Sequence, residues 1–175
     1  EIDFVFGTST TEINEKIEEA IAHIQDNMLS GEVVNEIVVL ASPEFFGKLI
    51  KHAKIVEAYK YYSSTQEPLR NRQGTGLYRR FSHGGVTFVE YRGSYNGSRL
   101  IPAGDAYAVP VGTQDTFITY FSPANKFSFV NTLGEEAYAF VTKDMSDEKE
   151  TIQTEHNALH LVRRPQGVVR LFSST

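Results

Sequence analysis

The sequence predicts an α+β fold with a helical N-terminal half and a strand-rich C-terminal half. Apolar residues recur every three or four positions between residues 13 and 28, which is the period of an amphipathic helix. From residue 77 onward, short apolar runs are separated by glycine, proline and asparagine turns, which is typical of strands. Because the two patterns are segregated along the chain, they favour α+β over a regular βαβ array.

The composition is that of a globular chain. Its 175 residues are 41% hydrophobic, which is enough to bury a core. Cysteine is absent, so disulfides, thiolate metal sites and a Cys nucleophile are excluded. The longest apolar runs are far below the roughly 20 residues of a membrane helix. A formal net charge of -5 argues against nucleic-acid binding as the primary function.

The first elements are a strand and a long helix. Apolar and polar residues alternate over residues 2–6, which predicts a strand. Ser9 and Glu12 match a Ser-x-x-Glu capping box and predict a helix start. The apolar stripe that follows predicts a one-sided helix of roughly five turns.

A buried strand and two further helices come next. Residues 36–41 are continuous and β-branched, which predicts a strand with both faces covered. Ser42 and Pro43 predict the N-cap and first turn of a second helix, and residues 55–62 predict a third. The polar stretch 63–76 lacks periodicity and predicts a long loop.

The second half reads as strands and turns. Residues 83–85 predict a hairpin turn, and residues 95–98 and 102–104 predict two more turns. A charged loop is predicted over residues 144–150. The predicted strands are residues 77–82, 86–92, 106–110, 116–121, 137–142 and 168–172.

No motif predicts a catalytic residue, a cofactor site or a metal site. Residues 74–76 begin like a dinucleotide fingerprint, but Arg79 stands where its third glycine belongs. His156 and His160 share helical spacing without the adjacent glutamate that a zinc protease needs. The arginines at 70, 72, 79 and 80 lie outside any recognised nucleic-acid fold, which favours solvent exposure or subunit ion pairs over phosphate binding.

An ordered set of short segments resembles the lambda-like major head proteins of tailed phages, the phage major capsid protein E family. Each segment alone is weakly specific, but their order and spacing cover nearly the whole chain. The segments are 4–7 (FVFG), 38–46 (VVLASPEFF), 84–91 (GGVTFVEY), 101–107 (IPAGDAY), 119–124 (TYFSPA), 131–134 (NTLG) and 163–165 (RRP).

The resemblance implies the Hong Kong 97-type capsid fold, with a peripheral domain built on a long spine helix and an axial domain at the capsomer centre. Residues 1–41 would belong to the peripheral domain, residues 42–134 mainly to the axial domain, and residues 135–175 to the returning peripheral strands. The N-terminal arm and the extended loop of the family would be absent. We therefore expect a fragment or processed form of a longer protein, with weak self-association.

The implied function is that of a structural subunit of a phage or prophage head, with no enzymatic activity and no cofactor. Its partners would be copies of itself in hexamers and pentamers, a scaffold, a portal and a decoration protein, with packaged DNA contacted only non-specifically. It would reside in the virion capsid, and in the bacterial host cytoplasm during assembly. Arg70, Arg72, Tyr95 and Arg99 are the subunit-contact candidates, since Arg and Tyr are favoured at interfaces.

Two other functions remain open from the residues alone. A small α+β hydrolase or ligand-binding domain would use His83 or the pair His156 and His160, and would require a pocket with convergent polar groups. A nucleic-acid binder would use the arginine-rich loop and would show steep salt dependence.

Overall fold

The computed structural model describes residues 1–28, 32–60, 79–144 and 149–174. The chain divides into two compact units. The first comprises Glu1–Gln114 with Arg164–Thr175, and the second is Asp115–Arg163. The predicted loop over residues 63–76 lies outside the described residues.

The elements confirm a mixed α+β architecture. The helices are α1 (Ile13–Asp26), α2 (Pro43–Lys51) and α3 (Ala53–Lys60). The strands are β1 (Ile2–Asp3), β2 (Glu36–Ala41), β3 (Arg80–His83), β4 (Val86–Glu90), β5 (Ser94–Tyr95), β6 (Ser98–Arg99), β7 (Asp105–Val111), β8 (Phe117–Phe121), β9 (Tyr138–Lys143), β10 (Glu150–Glu155), β11 (Ala158–Val162) and β12 (Val169–Phe172). No helix in the described ranges combines the length and the hydropathy needed to cross a bilayer.

The first unit is built on a six-stranded sheet in the order β1-β12-β7-β2-β4-β3. The pairs β1–β12 and β2–β4 are parallel, and the other neighbours are antiparallel. The strand β2 is central, with Val39 opposite Ala108 on one side and Phe88 on the other. Because the second unit lies in the chain between the adjacent strands β7 and β12, it is an insertion within the first.

One face of this sheet packs against the helices. Alternate residues of β2, β4 and β12 are buried, and they form a single core cluster with apolar residues of all three helices. The rings of Phe4, Phe6 and Phe45 add edge contacts to this core, with centroids 4.9 Å apart for Phe6 and Phe45.

The predicted first helix is present, but the capping box is wrong. The helix α1 begins at Ile13, and its N-cap residue Glu12 makes no side-chain capping bond. The segment before it forms a separate turn, in which the Thr11 hydroxyl donates to the Val5 carbonyl, so Ser9 does not reach the helix. The helix has 14 residues, or about four turns rather than five. Its buried residues follow the predicted stripe and are Ile13, Ile17, Ala20 and Ile24.

The predicted N-cap of the second helix is confirmed. The Ser42 hydroxyl accepts a hydrogen bond from the Phe45 amide at 3.3 Å, and Pro43 occupies the first turn. The same hydroxyl oxygen accepts from the Gly104 amide at 3.1 Å. One buried serine therefore starts α2 and also holds the turn that precedes β7.

Two predicted hairpin turns are confirmed by their backbone geometry. Gly84 and Gly85 join β3 to β4 with φ of 60° and 80°. Asn96 and Gly97 join β5 to β6 with φ of 50° and 79°. Both central residues are left-handed in each turn, as a two-residue hairpin of type I′ requires.

The second unit consists of two antiparallel two-stranded ribbons. One pairs β8 with β11, and the other pairs β9 with β10. The strands β10 and β11 were not predicted, because β10 is almost entirely polar and β11 is short and lacks strict alternation. Of the predicted charged loop, residues 145–148 lie outside the described part, and Glu150 is already the first residue of β10.

Candidate subunit interface

Two of the predicted contact residues lie on the β5–β6 hairpin of the first unit. Tyr95 is exposed, next to the turn. The Arg99 guanidinium donates to both carboxylate oxygens of Glu44 at 2.8 and 2.9 Å, which ties the hairpin to the first turn of α2. Arg70 and Arg72 lie outside the described residues. The hairpin that exposes Tyr95 is therefore held to α2 by an ion pair.

Arg79, which was expected to be solvated or to pair between subunits, instead pairs within its own chain. Its Nε donates to the Glu90 carboxylate at 2.5 Å, and its guanidinium lies over the Phe46 ring. Arg92 contacts the other Glu90 oxygen at 2.6 Å. These two arginines lower the pKa of Glu90 against the opposing effect of burial.

Glu90 was missed by the sequence reading, although the alternation of β4 contains the signal. Val86, Phe88 and Glu90 occupy the same face of the strand, and all three are buried. A carboxylate at an inward position of a strand requires a cationic partner. The arginines that supply it flank the β3–β4 hairpin in sequence, with Arg79 before β3 and Arg92 after β4.

Exposed apolar residues are concentrated in the second unit. Among the described residues, eleven of sixteen exposed large hydrophobic side chains belong to Asp115–Arg163. Clusters of this kind mark interaction sites more often than chance exposure. The eleven are Phe117, Tyr120, Phe121, Phe127, Val130, Leu133, Val141, Ile152, Leu159, Leu161 and Val162.

The β8–β11 ribbon has one apolar face and one mixed face. Successive strand residues point to opposite faces, and opposed residues share a face. Tyr120 is opposite Leu159 and Ile118 is opposite Leu161, so one face is entirely apolar. On the other face, the polar pair Thr119 and His160 separates two apolar pairs. A two-stranded ribbon is only marginally stable in water, so its apolar face is a candidate contact surface.

The loop between β8 and β9 is ordered by an aromatic cluster. The Phe129 ring makes edge contacts with the rings of Tyr138 and Phe140, at centroid distances of 5.2 and 5.6 Å. The Lys126 ammonium lies 3.4 Å from the centroid of the Phe140 ring. In the same loop Phe127 and Leu133 are turned outward.

Phe127 is 97% exposed and Leu133 is 92% exposed, which is close to the maximum for a side chain. Their neighbours in the loop are held by specific contacts, so this exposure is not that of an unstructured segment. The loop therefore presents these two side chains to its surroundings.

Polar bonds fix the other end of this loop. The Glu155 carboxylate accepts from the Asn125 amide at 2.8 Å and from Asn157 Nδ2 at 2.7 Å, and these bonds lower the pKa of Glu155. The Asn157 carbonyl accepts from the Ser122 amide at 2.9 Å. These polar groups are therefore engaged in holding the loop.

Between the loop and the ribbon lies an open groove with a volume of about 980 Å³. Its lining combines exposed apolar side chains with polar residues that include Lys126 and Glu155. Protein interfaces likewise combine apolar and polar groups. The apolar residues of the groove include Tyr120, Phe121, Phe127, Phe129, Val130 and Leu159.

Each histidine considered for an enzyme contacts an uncharged polar group of its own unit. His83 lies in the first unit, where its Nε2 contacts Asn14 at 2.7 Å and burial lowers its pKa. In the second unit, His160 Nδ1 contacts the Thr119 hydroxyl at 2.9 Å, and His156 contacts the Glu136 carbonyl. Within the described ranges, no group of three or more His, Asp or Glu residues is arranged to hold a metal ion.

Comparison with known proteins matches this chain to capsid proteins. A family model described as phage major capsid protein E matches residues 1–173. The major capsid protein of Pseudomonas phage KPP10 is 45% identical over 181 residues, covering 97% of this chain and 52% of that protein. The major capsid protein of Salmonella phage Felix O1 is 31% identical over 199 residues, covering 96% of this chain and 53% of that protein.

The chain thus spans about half the length of these two relatives. A major capsid protein is structural and not enzymatic, which confirms the expectation drawn from the sequence. The match to the family model extends over both compact units and includes the loop between β8 and β9, which carries exposed apolar residues. The chain belongs to the phage major capsid protein E family.

Proposed function

We propose that this chain belongs to a structural subunit, the major head protein, of a tailed phage or prophage, and that the subunit assembles into the hexamers and pentamers of an icosahedral shell around the phage DNA. The observation that carries the proposal is the family match over residues 1–173, supported by 45% identity to a major capsid protein. A shell subunit acts through extended contact surfaces, which agrees with the exposed apolar residues of the second unit.

We further propose the Hong Kong 97-type fold for the assembled subunit. In support, the chain has the α+β class and the amphipathic helix α1 that this fold requires. The proposed peripheral domain comprises residues 1–41 and 135–175, and residues 42–134 belong mainly to the proposed axial domain. A structure of the shell would test these boundaries, since the axial residues must surround the capsomer centre.

The proposed axial contacts involve Tyr95 and Arg99 on their hairpin, together with Arg70 and Arg72. The exposure of Tyr95 and the anchoring of Arg99 by Glu44 support a rigid contact point at the hairpin. Substituting Tyr95→Ser should weaken capsomer formation without lowering the melting temperature. A capsomer that forms normally with Tyr95→Ser would remove the hairpin from the contact set.

The proposed partners are other copies of the chain, a scaffold, a portal and a decoration protein, with DNA contacted non-specifically. The proposed location is the virion capsid, reached after assembly in the bacterial host cytoplasm. The formal charge of -5 supports loose rather than specific contact with DNA.

Expression of the full-length protein with its neighbouring phage genes tests the proposal. Negative-stain electron microscopy should show closed shells, and omission of this protein should abolish them. The proposed function would be contradicted if the protein is soluble and folded when expressed, but shells form equally well in a culture from which it is omitted.

A further inference from the structure

We propose that the groove of the second unit is the docking site for another copy of this chain. The groove is lined by the β8–β11 ribbon and the loop that follows β8, and its exposed apolar residues are Tyr120, Phe127, Val130 and Leu159. This inference rests on the proposed function, because it assigns one contact surface of the shell subunit.

The loop is built to hold the groove open. Phe129 is turned inward against Tyr138 and Phe140, and Glu155 accepts two hydrogen bonds that fix the start of the loop. Ordering a loop costs conformational entropy, which these contacts offset. The exposed side chain of Phe127 buries almost no apolar area within the unit. It would therefore contribute favourable free energy only when a partner covers it.

The β8–β11 ribbon would also be stabilised by a partner that covers its apolar face. Within the described residues, β8 pairs with β11 and with no other strand, which leaves one open edge on each strand. A two-stranded ribbon is marginally stable in water by itself. Contact along Tyr120 and Leu159 would cover its apolar face and stabilise the pairing.

The net charge of the second unit disfavours contact between two second units. The second unit contains eight acidic and four basic residues, whereas the remainder of the chain contains fourteen and thirteen. Two second units placed face to face would therefore repel each other. The favoured contact places the groove against a different surface of the next copy, and such heterologous contacts form rings when the rotation between copies closes.

A capsid subunit is the occupant that this chain itself supplies. The family implies self-association, so a second copy of the chain is an occupant that requires no further protein. The other possible occupants are the part of the full-length protein beyond this chain and a second phage protein. They are distinguished by whether the isolated chain covers the groove as its concentration rises.

Phe127→Trp supplies a direct reporter of coverage, because the chain contains no other tryptophan. Emission should shift to shorter wavelength as the 175-residue chain is concentrated from about 1 μM to about 1 mM, the range expected for weak association. The shift should reverse on dilution. Emission that stays constant across this range would overturn the proposal and indicate another occupant.

Val130→Asp and Val33→Asp form a matched pair. Both valines are exposed, at 62% and 70%, but Val130 lines the groove and Val33 belongs to the first unit. In sedimentation velocity, Val130→Asp should weaken self-association by at least about tenfold, and Val33→Asp by less than about twofold. Circular dichroism should show both variants folded. Equal effects of the two substitutions would overturn the proposal.

The same pair separates this inference from the proposed function. If full-length Val130→Asp assembles shells as well as the unsubstituted protein, the groove is not the docking site, although the protein still builds shells. If the unsubstituted protein forms no shells, the proposed function fails independently of the groove.

Discussion

Removing the two arginines around Glu90 should destabilise the chain more than removing Glu90 itself. The Glu90 side chain is 3% exposed, whereas those of Arg79 and Arg92 are 41% and 59% exposed. Without the arginines, a buried carboxylate loses both cationic partners, which costs about 3–5 kcal/mol. Without the carboxylate, both guanidinium groups reach water, so Glu90→Gln should cost only about 1–2 kcal/mol.

The pH dependence of this effect follows from the lowered pKa of Glu90. Since the folded state holds its pKa below the unfolded value of about 4.3, ionised Glu90 contributes stability at higher pH. This contribution is lost as the pH falls through the folded pKa. The difference in unfolding free energy between the unsubstituted chain and Glu90→Gln should therefore be largest near neutral pH and shrink below about pH 4.

Urea denaturation followed by circular dichroism measures both effects, provided that the m-value is the same for all variants. The variants are Glu90→Gln and the double substitution Arg79→Gln with Arg92→Gln. The reasoning would be refuted if Glu90→Gln were the more destabilising change. It would also be refuted if its effect were equal at pH 7 and pH 3.

Three further substitutions test the local structure, each by urea denaturation. Ser42→Ala should lower the unfolding free energy by about 1–2 kcal/mol, since the Phe45 and Gly104 amides both lose their acceptor, and equal stability would exclude the capping role. Gly97→Ala should lower the unfolding free energy by about 1–2 kcal/mol, since alanine disfavours the left-handed backbone of this residue. A Cβ at this position meets no other atom, so no steric clash adds to the cost. A stabilised variant would contradict this reasoning. Arg99→Gln should change stability by less than about 1 kcal/mol, because its ion pair is exposed, and a larger loss would show that the pair is more than a surface contact.

Elements with strong local signals were predicted from the sequence. The strand β2 has the predicted bounds because its residues are continuous and β-branched and the chain turns at Ser42 and Pro43. The hairpin at Asn96 and Gly97 follows from the left-handed conformations that these residues tolerate. In such segments, local propensity and tertiary structure agree.

The predictions failed where tertiary contacts decide the outcome. The strand β10 is polar and is defined by its pairing with β9, which no local pattern reports. Ser9 has the residue type of a cap, but a turn between Thr8 and Thr11 intervenes. The groove was not predicted either, because its residues come from separate segments that meet only when β8 pairs with β11.

The position of the second unit in the chain has a consequence for variation among related phages. Since β7 and β12 are neighbours in the first sheet, the segment between them leaves and re-enters the core at adjacent points. Its length and sequence can therefore change without shifting the register of the core strands. Asp115–Arg163 can therefore evolve separately from the core sheet, as a surface loop with fixed ends does.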